Sequence, residues 1–411
     1  MKILLVTQYF WPESFRVNDL VEGLIARGHE VTVLTGLPNY PAGRLFKGYT
    51  VAGPYVEEFR GARVIRVPLI PRGDGGALRL AANYLSFVLS ASIAVWLRKW
   101  RGDAIFVYEP SPFTVGIPAI VLKKRIKRPI VFWVQDLWPE SLSATGAVRS
   151  PKIVTLVARM VRWIYGKCDR ILVQSRAFVE PAIAAGAECE RIDYLPNWAE
   201  PLFLRDVPES AERGRIPAER RFRVMFAGNL GEAQSLETLV EAAKLLKACA
   251  PIEWVVLGDG RREAWLKRRI VEESLEAHVT MLGRRPVTEM PAYFSKADVM
   301  LVTLKREPIF AYTIPSKVQS YMACAKPIVG ALDGEGARIV NESGCGIAVG
   351  ADDARALAAA VEAMYRKAPA ELREMGNRGR NYYNRNFHRE VLLARLESII
   401  EQVVEEAGCE Y

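Results

Sequence analysis

Short apolar runs alternate with stretches of helical periodicity along the first 200 residues of the chain. Each run has the length of a buried strand, and helix-period segments separate most of them. The predicted strands are 2–7, 31–34, 63–67, 104–108, 130–134 and 170–173. This alternation is typical of βαβ units and predicts an α/β fold with a doubly wound parallel sheet.

Residues 222–350 repeat the same rhythm, which predicts a second α/β domain. The predicted strands are 222–227, 252–257, 279–282, 299–304 and 327–331, and the helices between them are 235–248, 263–273 and 287–296. Two long amphipathic helices follow, near 370–384 and 389–406. The segment 205–221 combines many charges with proline and glycine and is the predicted linker between the domains.

One short helix is predicted between the apolar runs 299–304 and 327–331. Pro315 suits its first turn, where a missing N–H costs nothing. Lys317 would then lie beside the unpaired amides and the positive dipole of the helix N-terminus, so we expect an anion to bind there. A turn with a solvated lysine is the alternative interpretation of these residues.

Two glycine turns follow other strands of the second domain. They are 228–231, with Gln234 after it, and 258–260. Glycine lets the backbone approach a ligand closely, and the carboxyl ends of parallel strands share the edge at which open sheets bind ligands. Together with Lys317, these turns predict a nucleoside-diphosphate site in the C-terminal domain.

Aromatic, acidic and amide side chains follow two strands of the first domain, in the stretches 8–18 and 135–141. Aromatic faces beside a few polar groups suit sugar binding, and a loop that packs its tryptophans inside the domain would use the same residues. Asp136 could orient a substrate or cap a helix. The candidate sugar-binding residues, which become acceptor-binding candidates under the family resemblance described below, are Trp11, Glu13, Asn18, Trp138 and Glu140.

The net charge of +9 resides in the first half of the chain, where 26 Lys and Arg face 17 Asp and Glu. A basic surface attracts nucleic acid or an anionic membrane. No motif typical of nucleic-acid binding accompanies the charge, so we expect no nucleic-acid partner. The six cysteines form no C-x-x-C pair and the three histidines are scattered, so we expect a cytoplasmic protein without a metal site.

Residues 80–97 form an uncharged apolar stretch flanked by Arg79 and by the basic cluster 98–101. Eighteen residues is near the lower limit for crossing a bilayer. A span here would separate the strands of one sheet, so we favour a helix of the domain or one that lies in the plane of a membrane surface.

Several of these stretches resemble motifs of GT-B glycosyltransferases of family 4. Within that family they resemble the bacterial subgroup of fucosamine and colanic acid fucosyl transferases. The matching stretches are 27–35, 38–41, 136–141, 195–198, 227–231, 258–260 and 315–317.

The resemblance implies two Rossmann-like domains that face a cleft. Residues 1–204 would bind the acceptor, 205–388 the nucleotide sugar, and the helix 389–411 would cross back to the first domain. The implied reaction is retaining transfer of a sugar, such as N-acetylfucosamine, from a nucleotide sugar, with UDP suggested as the nucleotide. The acceptor would be a polyprenyl-diphosphate-linked saccharide at the inner face of the cytoplasmic membrane, in O-antigen, capsule or exopolysaccharide synthesis. A GT-B nucleotide-sugar 2-epimerase, an isomerase with the same domains, is the alternative.

The resemblance also implies site residues. The catalytic candidates are Asp136, Lys317 and Arg16. The donor-binding candidates are Gly228, Asn229, Gln234, Gly258, Asp259, Gly260, Gly283, Pro315, Ser316, Lys317 and Glu335.

The chain departs from the family pattern at several of these positions. Asn229 and Gln234 replace an arginine and a lysine that commonly contact the donor phosphates, and Tyr312 and Ser320 replace two glutamates. The usual double glycine after the first strand is replaced by the stretch 14–16. These departures leave Lys317 and Arg16 as the main phosphate cations and make Glu335 or Glu342 the candidate ribose ligand. No Asp-x-Asp motif occurs, so we expect transfer without a metal.

Overall fold

The computed structural model describes residues 1–53, 55–144, 150–205, 221–248 and 251–409. The chain divides into two compact units. One comprises Met1–Pro196 together with Leu393–Tyr411, and the other comprises Asn197–Leu392. The predicted linker 205–221 lies, except for its two end residues, outside the described residues.

The first unit is built on an eight-stranded sheet in the order β3-β4-β2-β1-β5-β6-β7-β8. All neighbouring strands are parallel except β3 and β4, which pair antiparallel. The strands are β1 Lys2–Val6, β2 Glu30–Gly36, β3 Val56–Phe59, β4 Ala62–Val67, β5 Ala104–Glu109, β6 Ile130–Val134, β7 Arg170–Val173 and β8 Ile192–Tyr194.

Helices connect the parallel strands of the first unit. They are α1 Arg16–Ala26, α2 Ala77–Leu97, α3 Gly116–Ile126, α4 Glu140–Ala144, α5 Pro151–Tyr165 and α6 Val179–Ala184. Strands β5 and β6 are buried along their whole length, which explains their continuous apolar sequence.

The last helix of the chain, α15 Arg389–Cys409, completes the first unit. Its Glu397 accepts a hydrogen bond of 2.6 Å from Arg27 Nε and lies 2.6 Å from His29 Nε2. Near the helix end, Glu406 pairs with Arg170 at 3.1 Å. Burial of Leu393, Leu396 and Ile400 adds apolar contact along the same helix.

The second unit contains a six-stranded, wholly parallel sheet in the order β11-β10-β9-β12-β13-β14. Its strands are β9 Phe222–Ala227, β10 Ile252–Leu257, β11 Val279–Gly283, β12 Val299–Thr303, β13 Ile328–Ala331 and β14 Gly346–Val349. Its helices are α7 Leu236–Leu246, α8 Glu263–Glu272, α9 Met290–Ser295, α10 Pro308–Tyr312, α11 Ser316–Ala323, α12 Gly334–Glu342, α13 Ala354–Tyr365 and α14 Pro369–Asn386.

Both faces of this second sheet are covered by apolar clusters. Side chains alternate along β9, so Val224 and Phe226 enter one cluster, whereas Met225 and Ala227 enter the other. Helices α7, α8 and α13 supply the first cluster, and α9, α11 and α12 supply the second. The predicted fold, an α/β chain with two doubly wound Rossmann-like domains, is therefore confirmed.

The strands that sequence periodicity missed are β3, β8 and β14. All three lie at sheet edges. Strand β3 contains Glu57 and Glu58, while β8 and β14 are short and only half-buried. An edge strand needs little apolar sequence, so each lacks the uninterrupted apolar run by which the central strands were predicted.

Candidate active site

The candidate donor site lies at the carboxyl edge of the second sheet, where the strand order reverses. Strand β9 is followed by β10 on one side and, much later in the chain, by β12 on the other. Such a switch point leaves a crevice at the carboxyl ends of the strands, where open α/β sheets bind ligands. The turn after β9 and the segments after β12 both lie at this edge.

Backbone hydrogen bonds join the two glycine turns. Gly228 N donates to Leu257 O at 2.9 Å, and Leu230 N donates to Asp259 O at 2.7 Å. A Cβ added to Gly258 would lie 1.9 Å from Gly228 O, and φ at Gly258 is +136°. This close approach requires glycine, since any side chain would push the two turns apart.

Lys317 extends from the first turn of α11 to the turn after β9. Its Nζ lies 3.7 Å from the centroid of the Phe226 ring and donates a hydrogen bond to Gln234 Oε1. A Cβ on Gly228 would come within 2.6 Å of Lys317 Cε, so glycine leaves room for the lysine side chain. Burial lowers the pKa of Lys317 to about 7 because it disfavours the charged form.

Gln234 is held in place through its backbone. Thr303 Oγ1, at the end of β12, donates to Gln234 O at 2.5 Å, and Lys305 N donates to Ala233 O at 2.9 Å. The segment that carries Gln234 is therefore fixed to the neighbouring strand end. Its amide oxygen lies where Lys317 can use it as an acceptor in the absence of an anion.

Helix α11 begins at Ser316, with Pro315 as the residue that precedes it. Pro315 thus lies one position earlier than the first-turn position that the sequence predicted. The hydroxyl of Tyr321 accepts from Ala227 N and donates to Ala227 O, both at 3.2 Å, which anchors the helix to the end of β9. This contact fixes the exposed Ser316 and the half-buried Lys317 near the glycine turn.

The two candidate ribose carboxylates share one arginine. Glu335 is buried in the first turn of α12, and its carboxylate receives bonds of 3.0 and 2.8 Å from Arg338. Glu342, in the last turn of the same helix, also pairs with Arg338 and is exposed. Because α12 follows β13, its first turn lies at the ligand edge, and the geometry favours Glu335 over Glu342.

The remaining donor candidates occupy the rim of the same edge. Gly283 ends β11, and its carbonyl accepts from Gly258 N at 2.9 Å. Asp259 is exposed and lies 3.7 Å from Arg284. The two positions that commonly hold glutamates differ in setting, since Tyr312 ends α10 and Ser320 is buried within α11.

In the first unit, the loop after β1 is held together by Glu13. Its buried carboxylate accepts from the backbone amides of Asn39 at 2.8 Å, Tyr40 at 2.7 Å and Phe10 at 3.1 Å. Burial nevertheless raises the pKa of Glu13 to about 7. These bonds give Glu13 a structural role, so the acceptor role predicted for it has no geometric support.

Asn18 and Trp11 belong to the same loop. The side-chain oxygen of Asn18 accepts from Trp11 N at 2.9 Å, and its amide donates to Glu13 O at 2.7 Å. The Trp11 ring packs on Phe59 with 5.5 Å between centroids, while 39% of the residue remains exposed. Asn18 therefore shapes the loop, whereas the Trp11 side chain remains accessible to a ligand.

A cluster of aromatic rings around Arg72 was not predicted from the sequence. The guanidinium of Arg72 lies 4.9 Å from the Tyr40 ring and 5.8 Å from the Tyr9 ring, and its Nη1 donates to Tyr9 Oη at 3.3 Å. Tyr9 stacks on Phe15 with 5.3 Å between centroids. Arg72 follows β4 in an irregular segment with no recognisable motif, so no local signal marks it.

Asp136 follows β6 and lies beside a second buried acid, Glu109, at the end of β5. Glu109 Oε2 accepts from the backbone amides of Asp136 and Gln135 at 3.4 Å. Burial raises the pKa of Asp136 to about 6, and burial together with the Asp136 charge raises that of Glu109 well above its usual range. Glu109 ends a continuous apolar strand that the sequence assigned to the core, so the sequence did not predict it as a site residue.

The structure does not favour a capping role for Asp136. Helix α4 begins four residues later, at Glu140. Within the described part of the chain, the Asp136 carboxylate accepts no hydrogen bond from that helix. The carboxylate is therefore available for another partner.

Trp138 and Glu140 complete the predicted acceptor residues. Trp138 is 9% exposed, and its ring packs against Phe113 at 5.2 Å, so the tryptophan serves the interior of the unit and not a sugar-stacking surface. Glu140 is half-buried at the start of α4. Arg16, the third catalytic candidate, is half-buried at the first position of α1. Burial raises the pKa of the Tyr108 hydroxyl, and the Arg16 charge opposes this rise.

Two family models match the chain. The Glycosyl transferase 4-like domain matches residues 14–198, and the Glycosyl transferases group 1 domain matches residues 221–367. The first match spans most of the larger sheet, and the second contains the glycine turns, Lys317 and Glu335.

Relatives and solved structures agree with these matches. A colanic acid biosynthesis glycosyl transferase of Escherichia coli, WcaI, is 27% identical over 79% of this chain and 81% of its own. The glycosyltransferase WbjE of Pseudomonas aeruginosa is 27% identical over 87% of each chain. Anabaena HepE, solved in complex with UDP, superposes with a TM-score of 0.71 over 98% of this chain and 100% of its own, at 16% identity.

Proposed function

Because the chain belongs to the GT-B glycosyltransferases of family 4, we propose that it transfers a sugar from a UDP-sugar during synthesis of a bacterial surface polysaccharide. The observation that carries the proposal is the ammonium of Lys317 at the switch point of the second sheet, beside two glycine turns and without a carboxylate partner among the described residues. The names of the relatives support the polysaccharide, and UDP in the HepE structure supports the nucleotide.

The diphosphate of the donor would occupy the edge between the turn after β9 and the first turn of α11. The backbone amides at the start of α11 and the Lys317 ammonium would supply positive charge there. Glu335 would accept hydrogen bonds from the ribose hydroxyls, with Arg338 fixing its carboxylate. Gly228, Gly258 and Gly260 would let the two turns pack against each other and against Lys317 at the edge that the donor would occupy.

In the proposed reaction, the bond between the anomeric carbon and the phosphate oxygen breaks, and its electron pair leaves with the diphosphate. Lys317 and the helix amides stabilise the charge that develops on that phosphate. Loss of one such donor typically costs about 2.7–4 kcal/mol in the transition state. The protein supplies this positive charge from its own side chains, so we propose transfer without a metal.

The acceptor hydroxyl would bond to the anomeric carbon on the face that the phosphate leaves, with retention of configuration. Its proton would pass to the departing phosphate oxygen, so no strong protein base is needed. Asp136 would orient the acceptor or stabilise the positive charge on the sugar. We propose a polyprenyl-diphosphate-linked saccharide as the acceptor, met at the inner face of the cytoplasmic membrane by the basic first unit. N-acetylfucosamine is the proposed sugar.

The 2-epimerase alternative gains no support from the structure. Such an enzyme would need histidine and carboxylate bases at the substrate, whereas His29 lies in the turn between α1 and β2, against Glu397 of the last helix. The relatives described above are transferases.

Thermal stabilisation by nucleotides tests the proposal. A panel of UDP, GDP, dTDP and CDP, each with and without a chelator, should give a selective shift with UDP that the chelator leaves unchanged. A ligand that binds the native state stabilises it by about 2.7 kcal/mol at a hundredfold excess over Kd. The absence of any nucleotide shift would contradict the proposed function, and a shift lost with chelator would contradict the metal-free reaction.

A further inference from the structure

Helix α2 presents apolar side chains on both of its faces. The inner face is buried and comprises Asn83, Phe87, Val88, Ala91 and Val95. The outer face, which we call the α2 face, carries the exposed side chains Leu78, Leu85, Leu89, Ile93, Trp96 and Leu97, of which Leu85, Leu89, Ile93 and Trp96 are three to four residues apart. Leu89 is 63% exposed and Trp96 60% exposed. A helix at the surface of a water-soluble domain normally presents polar side chains there.

Polar contacts fix α2 to the rest of its unit. Asn83 Oδ1 accepts from Gln8 Nε2 at 2.7 Å, and Asn83 Nδ2 donates to Ile70 O at 2.7 Å. Ser86 Oγ accepts from Ile70 N at 2.9 Å. Among the described helices, α2 alone has the length and apolar composition to cross a membrane, with 28% of its apolar window buried. Crossing would break these hydrogen bonds, one of which is buried, so the contacts favour a helix that stays on the sheet.

Basic side chains border one end of the α2 face. The guanidinium of Arg125, in the last turn of α3, lies 5.3 Å from the Trp96 ring. Lys99 and Lys124 are also exposed near this end. Helix α2 itself contains no acidic residue, and among the residues described no carboxylate forms an ion pair with Lys99, Lys124 or Arg125. The surface therefore combines uncovered apolar area with unneutralised positive charge.

We propose that the α2 face binds the protein to the membrane. Helix α2 would lie in the plane of an anionic bilayer surface, with its exposed apolar side chains at the boundary between the lipid headgroups and the acyl chains. Arg125, Lys124 and Lys99 would then contact the lipid phosphates. Apolar burial and attraction to anionic headgroups add together in an interface-lying helix. This inference rests on the proposed function only in that a lipid-linked acceptor would be met at that surface.

A second copy of the chain is a less suitable occupant of the α2 face. Twofold pairing of this face would oppose like surfaces. In a parallel pairing the cluster of Arg125, Lys124 and Lys99 would lie near its own copy, where like charges are unfavourable, and in an antiparallel pairing α2 of the second copy would offer it no acidic side chain. An anionic lipid surface neutralises the same charges. Charge complementarity therefore selects the membrane.

Sedimentation with lipid vesicles tests the inference. Wild-type protein should partition onto phosphatidylglycerol-containing vesicles much more strongly than onto pure phosphatidylcholine. The triple variant Leu89→Gln, Ile93→Gln, Trp96→Gln should bind at least tenfold more weakly. The control Val271→Gln, Val287→Gln removes exposed apolar side chains from the second unit and should bind like the wild type. The pair Lys124→Gln, Arg125→Gln should weaken binding and reduce its dependence on salt.

Three results would overturn the inference. One is wild-type protein that does not bind anionic vesicles, and another is a triple variant that binds them as tightly as the wild type. The third is a wild-type dimer, seen by light scattering, that the triple variant abolishes, because it would assign the face to a second copy. The UDP-induced thermal shift of each variant separates this inference from the proposed function. Loss of vesicle binding with an intact UDP shift concerns the α2 face alone.

Discussion

The ammonium nitrogen of Lys317 lies 3.7 Å from the centre of the Phe226 ring. The face of an aromatic ring attracts a cation but carries no net charge. The other contact, Gln234 Oε1, is also neutral. Among the described residues, no carboxylate pairs with Lys317, so its charge is left for an anion to neutralise.

We expect Lys317→Ala to lower turnover at least tenfold. The variant removes the cation that stabilises the leaving diphosphate, and removal of such a donor commonly lowers turnover a hundredfold or more. Initial rates with donor and acceptor, together with the melting temperature, measure the effect. The melting temperature should not fall, because the lysine pays a desolvation cost in the folded state.

A second half-buried lysine of the same unit provides the control. Lys326 Nζ donates to Ser295 O and Ala297 O, both at 2.9 Å, and precedes β13, so it lies at the opposite edge of the sheet. Lys326→Met should lower the melting temperature but leave the affinity for UDP unchanged. Near-normal turnover in Lys317→Ala would remove Lys317 from the site.

UDP affinity should decrease as the pH rises above 7. The pKa of Lys317 is lowered to about 7 in the free protein, so the ammonium predominates below this pH and the neutral amine above it. The diphosphate binds the ammonium form, so each pH unit above 7 should weaken binding up to tenfold, until the pKa of the complex is reached.

Calorimetric titration of UDP between about pH 7.5 and 9 measures this dependence, since the terminal phosphate is fully ionised there. Lys317→Met should bind UDP more weakly, with a flat pH profile. A wild-type affinity that is constant over this range would show that Lys317 stays charged and that burial does not control it.

Gln234→Glu should weaken UDP binding at least tenfold. The new carboxylate would lie where Oε1 now accepts from Lys317, and it would neutralise the ammonium and repel the diphosphate. Gln234→Ala is the matched variant, because it removes the contact without adding charge, and its UDP affinity should stay within a few-fold of the wild type. Equal losses in the two variants would mean that Gln234 itself binds the donor.

Asp136→Ala should lower turnover at least tenfold while the fold stays intact. The pKa of Asp136 is raised to about 6 by burial, so the carboxylate predominates above pH 6 and the neutral acid below it. Turnover of the wild type should therefore increase as the pH rises through 6. Asp136→Asn should have low turnover that does not increase as the pH rises through 6.

The readout for Asp136 is a pH–rate profile with saturating donor, paired with the UDP thermal shift. The shift should be unchanged in both variants, because Asp136 belongs to the first unit. Wild-type rates in Asp136→Ala would exclude the residue from the reaction.

The central strands of both sheets could be predicted because they are buried on both faces. Burial along a whole strand leaves an uninterrupted apolar run in the sequence, as in β5, β6 and β12. Edge strands such as β3 are stabilised mainly by pairing with one neighbour, and that pairing leaves no comparable pattern. The short stretch 287–296 forms a helix only over Met290–Ser295, after a 3-10 turn.

The parts of the candidate site that could be predicted are those formed by residues close together in the sequence. The glycine turns and Lys317 can be recognised from the sequence because glycine turns and helix N-termini have local sequence signatures. Glu109 and Arg72 have no such signature, since their partners are distant in sequence and only the folded sheet brings them together. Conversely, the local pattern around Glu13 suggested a ligand contact, whereas its carboxylate accepts from the backbone amides of Phe10 in the same loop and of Asn39 and Tyr40 in a distant one.

The division of the chain into two units determines the order in which they can complete folding during synthesis. The second unit, Asn197–Leu392, is complete once residue 392 has emerged from the ribosome. The first unit contains residues that are made earlier, yet it must wait for Leu393–Tyr411, where Glu397 meets Arg27 and His29. The unit that is begun first is therefore the last to finish folding, and a stop codon just before Leu393 would damage the first unit while leaving the second complete.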